Sequence, residues 1–176
     1  MSIISNNRTI MVSCLKSNVV PVLKEFGFTG SFPHFRRFNN DSIDLITFQT
    51  NKYGGSFLVE VSAGFPFADD KNYVLNDNMT EKTLNVYSTN IRYRLPGMFN
   101  GPWFYYCDVY KKKAPFRKAE YYDDLDNSRS IPDGYLIVQE FNEETADIIC
   151  AEVNKQLKTA FVWLKKFKNE HKKISI

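Results

Sequence analysis

Apolar positions recur at two different periods along this chain, and the changes of period mark out its elements. Between residues 6 and 26, Val12, Leu15, Val19, Leu23 and Phe26 fall three or four apart, the spacing that lines one face of a helix. Ser5 or Asn6 is placed to cap it by accepting from the free N–H groups of the first turn. Pro21 interrupts the pattern, because it lacks an amide proton and its ring crowds the carbonyl of Ser17. The expectation is a kink, or two short helices meeting at Asn18–Pro21. Gly27 suits the left-handed position just past a helix end.

From Phe32 the period drops to two. Strands are expected at about 32–38, 42–50 and 55–63, joined by Asn39–Asn40–Asp41 and Asn51–Lys52–Tyr53–Gly54, whose residues tolerate positive φ. Connections this short join antiparallel neighbours, so the three form a meander. In the third strand Phe57, Val59, Val61 and Ala63 share one face, read as the buried one, and Leu58, Glu60 and Ser62 the other. The second has Ile46 and Phe48 on one face and Ile43, Leu45, Thr47 and Gln49 on the other, apolar on both sides as a central strand is. Residues 65–82 read as a loop. Strand character returns at 83–95, 103–110 and 135–141. Between the last two, a basic block (Lys111–Lys113, Arg117, Lys118) and an acidic one (Glu120, Asp123, Asp124, Asp126) suggest a long exposed loop over 111–134.

The final helix has the strongest local pattern. Asn142 can cap it, Glu143 and Glu144 complement its positive end, and Ala146, Ile149, Cys150, Val153, Leu157, Phe161 and Leu164 form an apolar stripe. Lys165, Lys166, Lys168, Lys172 and Lys173 gather at its negative end. The architecture expected is a single α+β domain spanning residues 1–176: a mostly antiparallel sheet of five or six strands, with the N-terminal and C-terminal helices packed on one face. The other face is then the candidate binding surface.

Composition narrows the class. A 43% apolar and 24% charged chain is ordinary for a globular protein, and a net charge of +3 is too small to argue for nucleic acid by itself. The aromatic share of 15% suits pleated, half-buried surfaces or an exposed recognition face. Cys14, Cys107 and Cys150 are odd in number and show no metal-ligand or redox spacing, which favours a reducing, cytoplasmic setting. No leader pattern and no apolar run near 18 residues is present, so neither secretion nor a membrane span is expected.

Several of these runs occur together. VLKEFGF (22–28), FRRF (35–38) and ITFQTNKYGGSFLVEVSAG (46–64) resemble an uncharacterised bacterial domain-of-unknown-function family. Its members show a helix ending in Leu-Lys-x-x-Gly-Phe, an aromatic-Arg strand and a Gln-x-x-Lys-x-x-x-x-Phe strand pair. The match is good over residues 15–64 and weaker at RYRL (92–95) and Trp103, and the 111–134 insert has no counterpart. The resemblance implies a small cytoplasmic bacterial α+β protein and carries no chemistry.

Catalytic signals are sparse. His34 stands beside a proline and His171 near the chain end, so a nucleophile–histidine pair would have to use one of them. No metal-ligand spacing exists; Asp69–Asp70 and Asp123–Asp124–Asp126 read as solvated loop acids. Gly54–Gly55 leads into a strand and is a turn, not a phosphate loop. No metal and no cofactor is expected. The residues that stand out are Arg36, Arg37, Gln49, Arg92, Arg94 and Trp103. Arg36 and Arg37 point to opposite faces of their strand, so one must lie on the core side or at the rim. If the strands are neighbours, one of these, with Gln49, Arg92 and Arg94, forms an arginine-lined surface for a small anion. The alternative is that the arginines pair with Asp44 and Glu60 across strands.

The leading functional reading is a non-catalytic binding or interaction protein, inhibitor- or immunity-like, whose partner is another protein. A small-anion-binding protein or enzyme using the arginine-lined surface is the second reading. The third is a weak nucleic-acid binder through the aromatic and basic segment 105–118, against which the adjacent acidic block argues. No membrane partner is expected, and the oligomeric state is left open.

Overall fold

A computed structural model describes residues 3–52, 55–65, 82–98, 101–106, 109–111, 135–137 and 141–172. The chain is α+β, with a six-stranded antiparallel sheet, an N-terminal helix and a C-terminal helix. The N-terminal helix starts earlier than its pattern suggested: α1 runs over Ile3–Cys14, so Ser5 and Asn6 lie inside it rather than capping it. Pro21 has the expected effect, by a specific route. A π-helical turn at Leu15–Val19 widens the helix by one residue, Val20 N–H bonds the Leu15 carbonyl, and Pro21 falls in the first turn of α2 (Val20–Glu25). A proline there removes no needed donor. The Asn18 carbonyl within that wide turn accepts from Asn154 Nδ2 at 3.0 Å. Gly27, at φ +81°, ends α2 as expected. Phe28 N–H bonds the Leu23 carbonyl and Gly27 N–H bonds that of Lys24, the paired bonds of a Schellman cap.

The meander is β2 (His34–Phe38), β3 (Ile43–Thr50) and β4 (Ser56–Gly64), antiparallel throughout. A short β1 (Thr29–Ser31), absent from the sequence reading, pairs with β2 at the edge. On the other side β4 pairs with both β5 (Tyr93–Arg94) and β6 (Phe104–Tyr105), so the order is β1-β2-β3-β4-β5, with β6 also beside β4. A separate two-stranded ladder joins β7 (Val109–Lys111) to β8 (Tyr135–Ile137). The described parts of the strand expected at 103–110 therefore fall in two sheets, and residues 135–137 of the strand expected at 135–141 lie in the smaller one. The loops expected at 65–82 and 111–134 lie mostly outside the described residues, as does Cys107.

Packing follows the period-2 pattern on one face. Phe35, Ile46, Phe48, Phe57, Val59, Val61 and Ala63 meet α1, α2 and α3 (Glu143–Lys172) in one buried cluster. From α3 come Ala146, Ile149, Cys150, Val153, Leu157 and Leu164 of the expected stripe, joined by Ala160 and Phe167, while Phe161 of that stripe is only partly buried against the cluster. Asn142 caps α3 as expected: Thr145 N–H donates to Asn142 Oδ1 and Asn142 N–H to Thr145 Oγ1, both at 3.0 Å. Both terminal helices thus lie on one sheet face.

The other face departs from expectation. All nine residues of β4 are buried, including Leu58, Glu60 and Ser62. The cover is the segment expected as a strand at 83–95. Only Tyr93–Arg94 pairs there; Val86–Ser88 forms a 3₁₀ turn. Asn85 is the reason. Its side chain accepts from Tyr87 N–H at 2.9 Å, and Asn85 N–H donates to Ser88 Oγ, local bonds that outcompete an extended ladder. The turn drops Leu84 and Val86 onto Ile43 and Leu45 as a second small core. Gly64 makes room for it, since a β-carbon there would lie 2.8 Å from Leu84 Cδ2.

Candidate functional site

Residues opposite one another in the ladders line up as rows across the sheet. On the covered outer face one row is His34, Thr47, Glu60 and Arg94, contributed by β2, β3, β4 and β5. Glu60 is 1% exposed; its Oε1 accepts from Arg94 Nε at 2.9 Å, and Arg92 Nη1 lies 3.7 Å from Oε2. Arg92 also donates Nε to the Thr89 carbonyl at 3.0 Å and lies 5.4 Å from the Tyr87 ring centroid. At the row's other end His34 Nδ1 stands 3.0 Å from Thr47 Oγ1. Burial, then the charge of Arg36, lowers the His34 pKa, so the ring is neutral at pH 7. Arg36, one step along, donates Nε to the Leu84 carbonyl.

This row answers the question of convergence in part. Arg36, Arg92 and Arg94 do share one face of the sheet, around Glu60 and the covering segment. Arg37 does not join them. Gln49 is on that face but paired with Leu58, beyond Thr47, and the Trp103 carbonyl accepts from Met98 N–H at 2.8 Å. Each arginine of the group has a bond to the carboxylate or to a carbonyl of the covering segment. Their evident work is to fasten residues 84–95 to the sheet.

Arg37 lies on the helix face, at the corner where β2, β3 and α3 meet. Its Nε and Nη2 donate to Asp44 Oδ2 at 3.0 and 2.8 Å, and its Nη1 donates to the Phe26 carbonyl at the end of α2. The guanidinium also covers the Phe28 and Phe161 rings, at 4.6 and 5.5 Å from their centroids. Lys168 Nζ reaches the same carboxylate, 2.9 Å from Oδ1 and 3.0 Å from Oδ2. Asp44 is 0% exposed and held by two cations from different elements. A lysine near the end of α3 thus does more than answer the helix dipole.

Beside this corner a groove of about 730 Å³ opens to solvent, lined by the β2–β3 turn (Arg37 to Asp41) and by Phe161, Lys165, Lys168 and Asn169 of α3. Phe38 on its wall is 50% exposed, and the half-exposed Phe26 packs on Phe161 with ring centroids 4.6 Å apart. Three cations face two carboxylates, Asp41 at the rim and Asp44 beneath, so the groove carries net positive charge. Sequence reading missed it. The signal was present in FRRFNND (35–41) read together with the lysines of the last helix, but those stretches stand over 120 residues apart.

A second contact was hidden the same way. Cys14 and Cys150, each on the apolar face of its own helix, meet with Sγ atoms 2.8 Å apart. Among the described residues no group of His, Cys, Asp and Glu could hold a metal ion. Tyr105 and Tyr106, expected as stacking surface for nucleic acid, are buried. No helix among the described residues is long and apolar enough to cross a membrane. Searches of curated proteins and of solved structures return no match. The family model for a domain of unknown function, DUF4304, matches residues 19–166, a span holding the whole meander, the fastened segment and most of α3, and the chain belongs to that family.

Proposed function

We propose that this is a non-catalytic binding protein of the cytoplasm, and that it takes an acidic segment of another protein into the groove between the β2–β3 turn and the end of α3. One observation carries the reading: the exposed Phe38 ring and the partly buried Phe161 ring share a single concave surface with Arg37, Lys165 and Lys168. Aromatic and arginine side chains are the usual anchors of protein interfaces, and a net positive groove selects acidic partners. The arginines of the opposite face are committed to Glu60 and to backbone carbonyls, and Arg37 and Lys168 to Asp44, so the test bears on Phe38 and Lys165, which line the groove without holding a layer. The compartment is argued from Cys14 and Cys150, which are free thiols.

The test is affinity capture from the native host with the wild-type chain and with a Phe38→Ser/Lys165→Glu variant. A stoichiometric protein held by the wild type, lost by the variant and released by moderate salt supports the proposal. A partner that binds both equally, or no stoichiometric partner in repeated captures, overturns it.

A further inference from the structure

The contact between Cys14 and Cys150 joins two helices that also meet through apolar packing and through Asp147. Cys14 is the last residue of α1 and Cys150 lies in the second turn of α3, 136 residues later. Their surroundings are more polar than the apolar helix interface beside them. Cys14 Sγ donates to Asp147 Oδ1 at 3.3 Å, Asn18 Nδ2 donates to that same oxygen at 2.7 Å, and Asn18 Nδ2 also lies 3.4 Å from Cys14 Sγ. Cys14 is partly open to solvent, while Cys150 is buried behind it. One thiol is therefore reachable and the other is in place to follow.

We infer that Cys14 and Cys150 are a thiol pair that closes to a disulfide in exchange with a small-molecule disulfide, stapling α1 to α3. Cys14, as the thiolate, attacks one sulfur of the small disulfide; that S–S bond breaks, one small thiolate leaves, and a mixed disulfide forms at Cys14. Cys150 Sγ then attacks Cys14 Sγ and expels the second small thiolate. The two protein thiols are oxidised by two electrons, the small disulfide is reduced to two thiols, and the two protons lost by the cysteines end on those leaving groups. The sulfurs need to approach by only about 1 Å or less to reach a bond length of about 2.05 Å. A disulfide closed in this way in a reducing compartment is a transient, regulatory one.

The staple has a structural meaning. The family match begins at residue 19, so Cys14 precedes it while Cys150 lies inside it. Oxidation ties the leading helix covalently to the domain it packs against. Burial pushes both thiols up, Cys150 the further, so closure is slow at neutral pH and quickens as the medium becomes alkaline.

The experiment incubates the full chain with oxidised glutathione at pH 7 and pH 9, then counts free thiols after denaturation and maps non-reduced peptides by mass spectrometry. Loss of two of the three thiols, a peptide linking Cys14 to Cys150, a higher melting temperature reversed by dithiothreitol, and faster closure at pH 9 are expected. Cys107→Ser, left with two thiols, loses both and keeps the linkage, the melting shift and the pH dependence, whereas Cys150→Ser stops at a glutathione adduct on Cys14. A Cys14–glutathione adduct that persists in the wild-type chain, or a linkage through Cys107, overturns the inference. Mapping reads the bond itself, so a variant that folds poorly does not blur the wild-type result.

Discussion

Two rows of residues cross the sheet side by side, one on each face. Phe35, Ile46, Val61 and Tyr93 make the row under the helices, and His34, Thr47, Glu60 and Arg94 the row beneath the covering segment. They are offset by single residues along the same strands, yet one is held by apolar area and the other by hydrogen bonds and charge. Among the described residues each face also buries one carboxylate. Asp44, on the helix face, is shared by β2 and α3, so it pins a helix to the sheet. Glu60, on the outer face, is held by two arginines of one segment, so it pins residues 84–95. A buried charge here marks a place where a layer is attached where packing alone leaves a corner open.

Breaking the apolar row has the largest effect. Phe35→Ala removes a ring 1% exposed and is expected to cost about 3–5 kcal/mol in denaturant unfolding, through lost transfer energy and the cavity left behind. His34→Ala, at the preceding residue on the opposite face, loses one hydrogen bond to Thr47 and is expected to cost about 1 kcal/mol. Equal costs for the two would erase the contrast. Asp44→Asn ranks between them, at about 2–3 kcal/mol; this is below the usual cost of breaking a buried pair because Arg37 and Lys168 keep some access to water. Glu60→Gln follows at about 1–2 kcal/mol, since Arg94 is 57% exposed and loses little when released.

The smallest expected effect depends on pH. The folded His34 pKa lies below its ordinary value, so below about pH 6.5 the unfolded chain binds the extra proton more readily. The contribution of neutral His34 is fully present above that pH and is lost as pH falls toward the folded value. Stability curves from pH 7 to 5 are expected to fall less steeply in His34→Gln than in the wild type. Identical slopes would remove His34 from the account.

Much of this architecture was legible in the chain. Period-2 alternation over Phe57–Ala63 located the core face, and the stripe from Ala146 to Leu164 located α3, because both arise from local geometry acting on apolar side chains. The stretch 83–95 misled, because its apolar residues suit a strand while Asn85 and Ser88 offer the backbone a turn. Arg36 and Arg37 illustrate the limit on reading sites. Their opposition was plain from alternation, but that Arg37 would share Asp44 with Lys168, and Arg36 meet the Leu84 carbonyl, depends on elements far along the chain. The groove and the thiol pair escaped for the same reason.

The claim that each buried carboxylate fastens its own layer is tested most directly by hydrogen exchange on Asp44→Asn and Glu60→Gln, read segment by segment. Glu60→Gln is expected to speed exchange in residues 84–95, including the Leu95 amide bonded to the Val59 carbonyl, and to leave α3 unchanged. Asp44→Asn is expected to speed exchange around residues 161–169 of α3 and leave 84–95 unchanged. Acceleration of the same segments in both variants would contradict the account.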